Sequence, residues 1–126
     1  MLPLAVMMNR DIKKVSPDAK IREVAQLMRD KSIGSALIEQ DGNYVGIVSE
    51  TDLVRRGLAE GLDLDKTSVR QIMSSPIITI DVNRSIGDAN ELMARRGIRH
   101  LPVTDLGKIV GIISMRDLVI SFKNKI

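Results

Sequence analysis

The 126-residue sequence contains no cysteine and no tryptophan, and it has only one tyrosine and one phenylalanine. The absence of cysteine excludes disulfides, thiolate metal sites and a cysteine nucleophile. So few aromatic side chains argue against single-strand nucleic-acid binding, which uses several aromatic platforms for base stacking. No stretch approaches the roughly 20 apolar residues of a transmembrane helix, and the opening MLPLAVMM is too short for a signal sequence. We therefore expect a cytoplasmic protein without membrane partners.

Catalytic motifs are lacking as well. The sequence has no glycine-rich phosphate loop with a lysine and no pair of metal ligands at helical spacing. Its single histidine, His100, is poor material for a metal site or a catalytic triad. We therefore expect a protein that is not an enzyme and that holds no prosthetic group. The net charge of +3 favours anionic partners only weakly.

What the sequence does contain is an internal repeat with an offset of 65 residues. The stretch GIVSETDLV at 46–54 returns as GIISMRDLV at 111–119, and the surrounding apolar residues align at the same offset without a gap. An unbroken register of this length predicts two copies of one supersecondary unit. We place the first copy at residues 1–62 and the second at residues 63–126.

Each copy has the pattern of a β-α-β-β-α unit. Apolar residues at helical spacing predict one amphipathic helix from Ile21 and another from Ile86. Ser85 provides an N-cap for the second of these helices, whereas Lys20 supplies no acceptor to the first. Two β-branched runs around Asp-Gly or Leu-Gly then predict a hairpin with turns at 41–42 and 106–107. The predicted fold class is α+β and sandwich-like, with the two copies packed by pseudo-twofold symmetry.

The hairpin of each copy runs into a Ser-x-x-Asp motif, where hydroxyl and carboxylate are expected to cap the following helix. The glycine three residues before each serine lets a ligand or a neighbouring backbone come close. Between the copies, GLDLDKTSVRQIM predicts a loop and a short helix capped by Thr67 or Ser68.

Nearly the whole chain, from about Met8 to Phe122, resembles a pair of cystathionine β-synthase (CBS) domains, often called a Bateman module. The features that carry the resemblance are, in the first copy, MMNRDIKKVSPDAKIREVAQLMRDKSIGSALIEQDGNYVGIVSETDL and, in the second, IMSSPIITIDVNRSIGDANELMARRGIRHLPVTDLGKIVGIISMRDL. The resemblance implies a stand-alone regulatory module and energy sensor. Such modules bind AMP, ADP, ATP or S-adenosylmethionine in clefts between the copies, signal to a partner protein and form homodimers through their helices.

The resemblance also implies which residues bind the nucleotide. Asp52 and Asp117 are expected to hold the ribose hydroxyls, and Ser49 and Ser114 to fix ribose or phosphate. Each cleft is expected to draw its adenine-contacting edge from the other copy and from the short first strand. The residues implied for these roles and for the helix starts are Lys14, Ile33, Gly34, Ser35, Thr51, Thr79, Ile98, Arg99, His100, Met115 and Arg116.

The two sites are not expected to be equal. The second copy has Met115-Arg116 where the first has Glu50-Thr51, and arginine binds phosphate oxygens bidentately while glutamate repels them. Phosphate is therefore expected to favour the Asp117 site, and the Asp52 site to take its positive charge from Arg99 and His100.

Other interpretations stay open at the level of the sequence. The two aspartates could serve only as helix caps. The protein could associate with nucleic acid through its arginines, an alternative that the low net charge disfavours. It could also be a structural dimer that binds no ligand.

Overall fold

The computed structural model describes residues 2–123 and has the predicted α+β architecture. The chain divides into two compact units. The central unit spans Lys13–Ile77, and the terminal unit combines the residues up to Ile12 with those from Ile78 onward. The elements, in chain order, are α1 (Leu4–Met7), β1 (Lys14–Val15), α2 (Ile21–Lys31), β2 (Ser35–Gln40), β3 (Asn43–Ser49), α3 (Glu50–Asp52) continuing as a π-helix (Leu53–Leu58), a 3₁₀ turn (Val69–Gln71), β4 (Ile80–Asp81), α4 (Ile86–Arg96), β5 (His100–Asp105), β6 (Lys108–Ser114) and α5 (Met115–Lys123).

Each unit contains one three-stranded sheet of the same topology. In the central unit the order is β1-β2-β3, and in the terminal unit it is β4-β5-β6. The first strand of each sheet is very short and pairs in parallel with the second, which forms an antiparallel hairpin with the third. The β-α-β-β order predicted for each copy is confirmed.

The two main helices begin at the predicted residues. The Ser85 hydroxyl accepts a hydrogen bond from the Asp88 N–H at 3.0 Å, and the Asp88 carboxylate accepts one from the Ser85 N–H, which makes a complete capping box before α4. The hydrogen bond from the Ser85 backbone N–H, followed by one from the Ser85 side chain, holds the pKa of Asp88 below its ordinary value. Lys20, before α2, makes no side-chain cap, as its chemistry predicts. Both helices bury one apolar face against their own sheet.

The hairpin turns are also where the sequence predicts them. Asp41-Gly42 and Leu106-Gly107 all have positive φ, between 52° and 81°, which is the backbone conformation of a two-residue type I′ turn. Leucine rarely adopts this conformation, and Leu106 exposes 95% of its surface at the tip of the hairpin.

Two local expectations need correction. The helix predicted from Asp52 as an ordinary α-helix becomes a π-helix over Leu53–Leu58, with the Ala59 N–H bonded to the Val54 carbonyl five residues earlier. Gly57 lies buried in this stretch, and a Cβ there would be in ordinary van der Waals contact with Ile21, 3.6 Å from its Cγ2. The short helix after the first copy is a single 3₁₀ turn, and the Ser68 side chain, although at the N-cap position, makes no capping hydrogen bond.

The segment before the first strand of each copy packs on the other copy's hairpin. Met8 lies over Gly111 in the terminal unit, and Met73 lies over Gly46 in the central unit. A β-bridge follows in each case, Asn9 with Ile112 and Ser74 with Ile47. The 65-residue offset therefore extends to this segment, and the compact units are not the sequence copies. A methionine and a carbonyl, rather than a ligand, occupy the space that the missing glycine side chain leaves.

Replacing Gly111 with alanine is expected to destabilise the protein by about 1–3 kcal/mol, because the new Cβ would lie 2.6 Å from the Met8 Sδ and 3.1 Å from the Asn9 carbonyl oxygen. Urea unfolding measures the loss. Gly87→Ala is the matched control, since a Cβ there meets only the Ser85 Oγ at 3.6 Å and alanine favours the helix. Equal midpoints for Gly111→Ala and the wild type would contradict the close packing.

Candidate functional site at the strand-to-helix corners

In the central unit, strand β3 ends and helix α3 begins at a capping box formed by Ser49 and Asp52, which we call the central corner. The Asp52 Oδ2 accepts hydrogen bonds from the Ser49 N–H at 2.9 Å and from the Ser49 hydroxyl at 3.1 Å. The Asp52 N–H donates in return to the Ser49 Oγ at 3.3 Å. The predicted capping role of both residues is confirmed. The carboxylate is thereby fixed through one oxygen, and its side chain is 15% exposed.

The terminal unit repeats this arrangement where β6 passes into α5, and we call the capping box of Ser114 and Asp117 the terminal corner. The Asp117 Oδ2 accepts hydrogen bonds from the Ser114 N–H at 2.8 Å and from the Ser114 hydroxyl at 2.9 Å, and the Asp117 N–H donates to the Ser114 Oγ at 3.2 Å. The second oxygen of each aspartate takes no part in the capping box. Each corner therefore presents one preoriented carboxylate oxygen that is available as an acceptor.

The start of the neighbouring strand lies beside each corner. Ser35 is directly opposite Ser49 in the antiparallel pair, and His100 is directly opposite Ser114. The Glu50 N–H donates to the Gly34 carbonyl at 3.0 Å. In the terminal unit, the Met115 N–H donates to the Arg99 carbonyl in the same way. Opposite residues share a sheet face, and this face is the one turned away from the unit's own helices. Residues 34–35 thus lie beside the Ser49–Asp52 corner of their own copy and are connected to it by backbone hydrogen bonds.

The residues that distinguish the two corners have different surroundings. Glu50 lines an apolar groove between α2 and the π-helix, whereas Met115 packs against the core of the terminal unit. Thr51 and Arg116, one residue later, are both exposed. The Arg116 guanidinium has no ion-pair partner among residues 2–123 and is available to an anion.

Most of the remaining predicted site residues have structural partners in their own unit. Lys14 forms an ion pair with Glu39 at 3.1 Å, and the hydrogen bond and charge of that carboxylate raise the pKa of Lys14. Ile33 and Ile98 each pack partly buried against the core of their unit. Thr79 borders a polar groove of about 400 Å³ beside α4. The Arg99 side chain is exposed.

One charged residue at the central corner was not among those predicted. The Arg56 Nη1 lies 3.9 Å from the Asp52 Oδ1 and donates a hydrogen bond to the Met73 carbonyl at 3.3 Å. The signal in the sequence is an aspartate–arginine pair four residues apart, DLVRR, which the second copy replaces with DLVIS. The central corner therefore carries a cation of its own where the terminal corner has Ser121.

Within residues 2–123, no three histidine, aspartate or glutamate side chains come together in a way that would hold a metal ion. None of the helices in this part of the chain has the length and apolar character of a membrane span.

The CBS domain family matches the chain twice, over residues 5–59 and 69–124. An uncharacterized protein of Methanopyrus kandleri is 38% identical over 87% of this chain and 57% of its own length, so the chain spans little more than half of that relative. The CBS domain-containing protein YhcV of Bacillus subtilis is 33% identical over 90% of this chain and 81% of its own length. The crystal structure of an uncharacterized conserved protein from Pyrococcus horikoshii superposes with a TM-score of 0.91 at 32% identity, covering 98% of this chain and 94% of the other.

These matches establish the class of protein that the repeated sheets and corners define. The chain belongs to the CBS domain family and contains two CBS domains. The resemblance inferred from the repeated motifs is confirmed.

Substitutions at Asp117 are expected to show how much its capping hydrogen bonds contribute to stability in the absence of ligand. Asp117→Ala removes the acceptor for both Ser114 donors and should lower the free energy of unfolding by about 1–2 kcal/mol. Asp117→Asn keeps an acceptor oxygen and should cost less than about 1 kcal/mol. Thermal unfolding without ligand measures both. If the two variants unfold together at the wild-type temperature, the capping box does not stabilise the fold.

Proposed function

We propose that this protein is a regulatory module that binds adenosine-containing nucleotides at its Ser-x-x-Asp corners and is not a catalyst. The observation that supports the proposal is the same in both units. An aspartate is fixed through its Oδ2 to the preceding serine, and its Oδ1 takes no part in the capping box. A carboxylate held in this way accepts hydrogen bonds from the two hydroxyls of a ribose more strongly than a neutral acceptor does.

The same corners offer groups for the rest of a nucleotide. Ser35 and His100 lie opposite the corner serines and belong to the proposed binding surface. Arg116, exposed in the first turn of α5, suits a phosphate, as do the N–H groups at the start of that nine-residue helix. Thr51, at the equivalent position, carries no charge. We therefore propose that phosphate strengthens binding most at the Asp117 corner.

Ligand binding regulates a partner only if the ligand favours one conformation over another. We propose that occupancy of the corners changes the conformation of the module and that a separate protein detects this change. The terminal corner passes directly into α5, so an ordered ligand at Asp117 acts on the start of that helix.

Thermal denaturation with AMP, ADP, ATP, S-adenosylmethionine and GTP tests the binding proposal. A ligand at 100 times its dissociation constant should raise the free energy of unfolding by about 2.7 kcal/mol. Asp117→Asn should weaken AMP and ATP binding more than Asp52→Asn, because only the terminal corner has the unpaired Arg116.

An absence of any shift at millimolar nucleotide would refute the proposal. Binding of RNA or DNA with a steep salt dependence, and without a nucleotide response, would favour the nucleic-acid alternative instead. Equal losses in the two aspartate variants would refute the difference between the corners.

We also propose that the module forms a homodimer through its helices. The apolar groove between α2 and the π-helix has a volume of about 370 Å³, and Val54 and Leu58 at its border are more than half exposed. Helix α5 in the terminal unit exposes Val119, Ile120 and Phe122. Apolar side chains clustered on a helix in this way are typical of a surface that another protein copy covers.

Val54→Asp and Val119→Asp are expected to convert the dimer into a monomer, because each places a charge in the proposed apolar interface. Sedimentation velocity measures the change. Val6→Asp is the control, since Val6 is a similarly exposed valine on α1. A monomeric wild type, or a dimer that survives both interface substitutions, would overturn this proposal.

A further inference from the structure

We infer that Arg56 determines the ligand specificity of the central corner, where it makes Asp52 prefer a nucleoside phosphate over the unphosphorylated nucleoside. The inference rests on the proposed function, because it assigns a role at the same corner. The Arg56 Nη1 lies 3.9 Å from the Asp52 Oδ1, the carboxylate oxygen outside the capping box.

The Arg56 guanidinium is held in place by one hydrogen bond, and most of its N–H donors have no acceptor among residues 2–123. Its Nη1 donates to the Met73 carbonyl at 3.3 Å, and this contact holds the side chain over the corner. Guanidinium groups have five N–H donors, so four remain for other acceptors, and the side chain is 50% exposed. A phosphate that approaches Asp52 therefore meets donors in the planar geometry that binds two of its oxygens.

The charge of Arg56 acts differently on the two kinds of ligand. For a nucleoside without phosphate, the guanidinium competes with the ribose hydroxyls for the Asp52 Oδ1. For a nucleoside phosphate, the guanidinium can leave the carboxylate and bind the phosphate, which compensates for the lost ion pair. An exposed ion pair of this length is weak, so the exchange is readily reversible.

The terminal corner has no arginine at the position equivalent to Arg56. Position 121, equivalent to Arg56, is a half-buried serine, and the cation of that corner is Arg116 beside the aspartate. The two corners thus carry their positive charge at different places, four residues after Asp52 and one residue before Asp117. The central corner obtains a phosphate-binding cation from its own unit.

The test compares the dissociation constants of AMP and adenosine by calorimetry in an Asp117→Asn background, which leaves the central corner as the stronger site. Arg56→Gln keeps an N–H donor for the Met73 carbonyl but removes the charge. It should lower the preference for AMP over adenosine by about tenfold, the equivalent of about 1.4 kcal/mol. Arg56→Lys keeps the charge and should retain most of the preference.

Arg55→Ser is the control for net charge, since Arg55 is exposed on the same π-helix and has no ion-pair partner among the described residues. It should leave the preference unchanged. An Arg56→Gln protein that binds both ligands with the wild-type ratio, or loses both equally, would overturn the inference. A wild-type protein that binds neither ligand would instead overturn the proposed function.

Discussion

The hydrogen bonds between the serine and the aspartate of each corner are the interaction on which the rest of the site depends. They end an antiparallel strand and start a helix within four residues, and they use one carboxylate oxygen completely. The second oxygen is consequently held in one orientation outside the capping box. The capping role and the proposed binding role do not compete, because they use different oxygens of the same group.

Duplication gives the chain two such corners, and the charged residues around them have diverged. The hydrogen-bond lengths of the two capping boxes agree within 0.2 Å, so the frame is the same. The cations differ, with Arg56 after the first aspartate and Arg116 before the second. A repeated frame with different surrounding charges is a simple way to obtain two related sites with different preferences for phosphate.

Local signals explain how much of this arrangement the sequence predicts. The capping boxes, the hairpin turns and the starts of α2 and α4 all follow from residues within a few positions of one another. The packing of Met8 on Gly111 could not be predicted in this way, because it joins residues about a hundred positions apart. The π-helix could not be predicted either, because the bond from the Ala59 N–H to the Val54 carbonyl five residues earlier has no local signal in the sequence. Arg56 could not be identified from the sequence either, because an aspartate–arginine pair four residues apart also serves simply to stabilise an exposed helix.

The most direct test of the account is to follow backbone amide resonances while the protein is titrated with AMP. The account predicts that the largest shifts occur at the Ser49 and Ser114 amides, whose N–H groups bond to the corner carboxylates, and at the residues that follow them. Shifts confined to the distant hairpin turns, or no shifts at millimolar AMP, would contradict the claim that these corners bind the nucleotide.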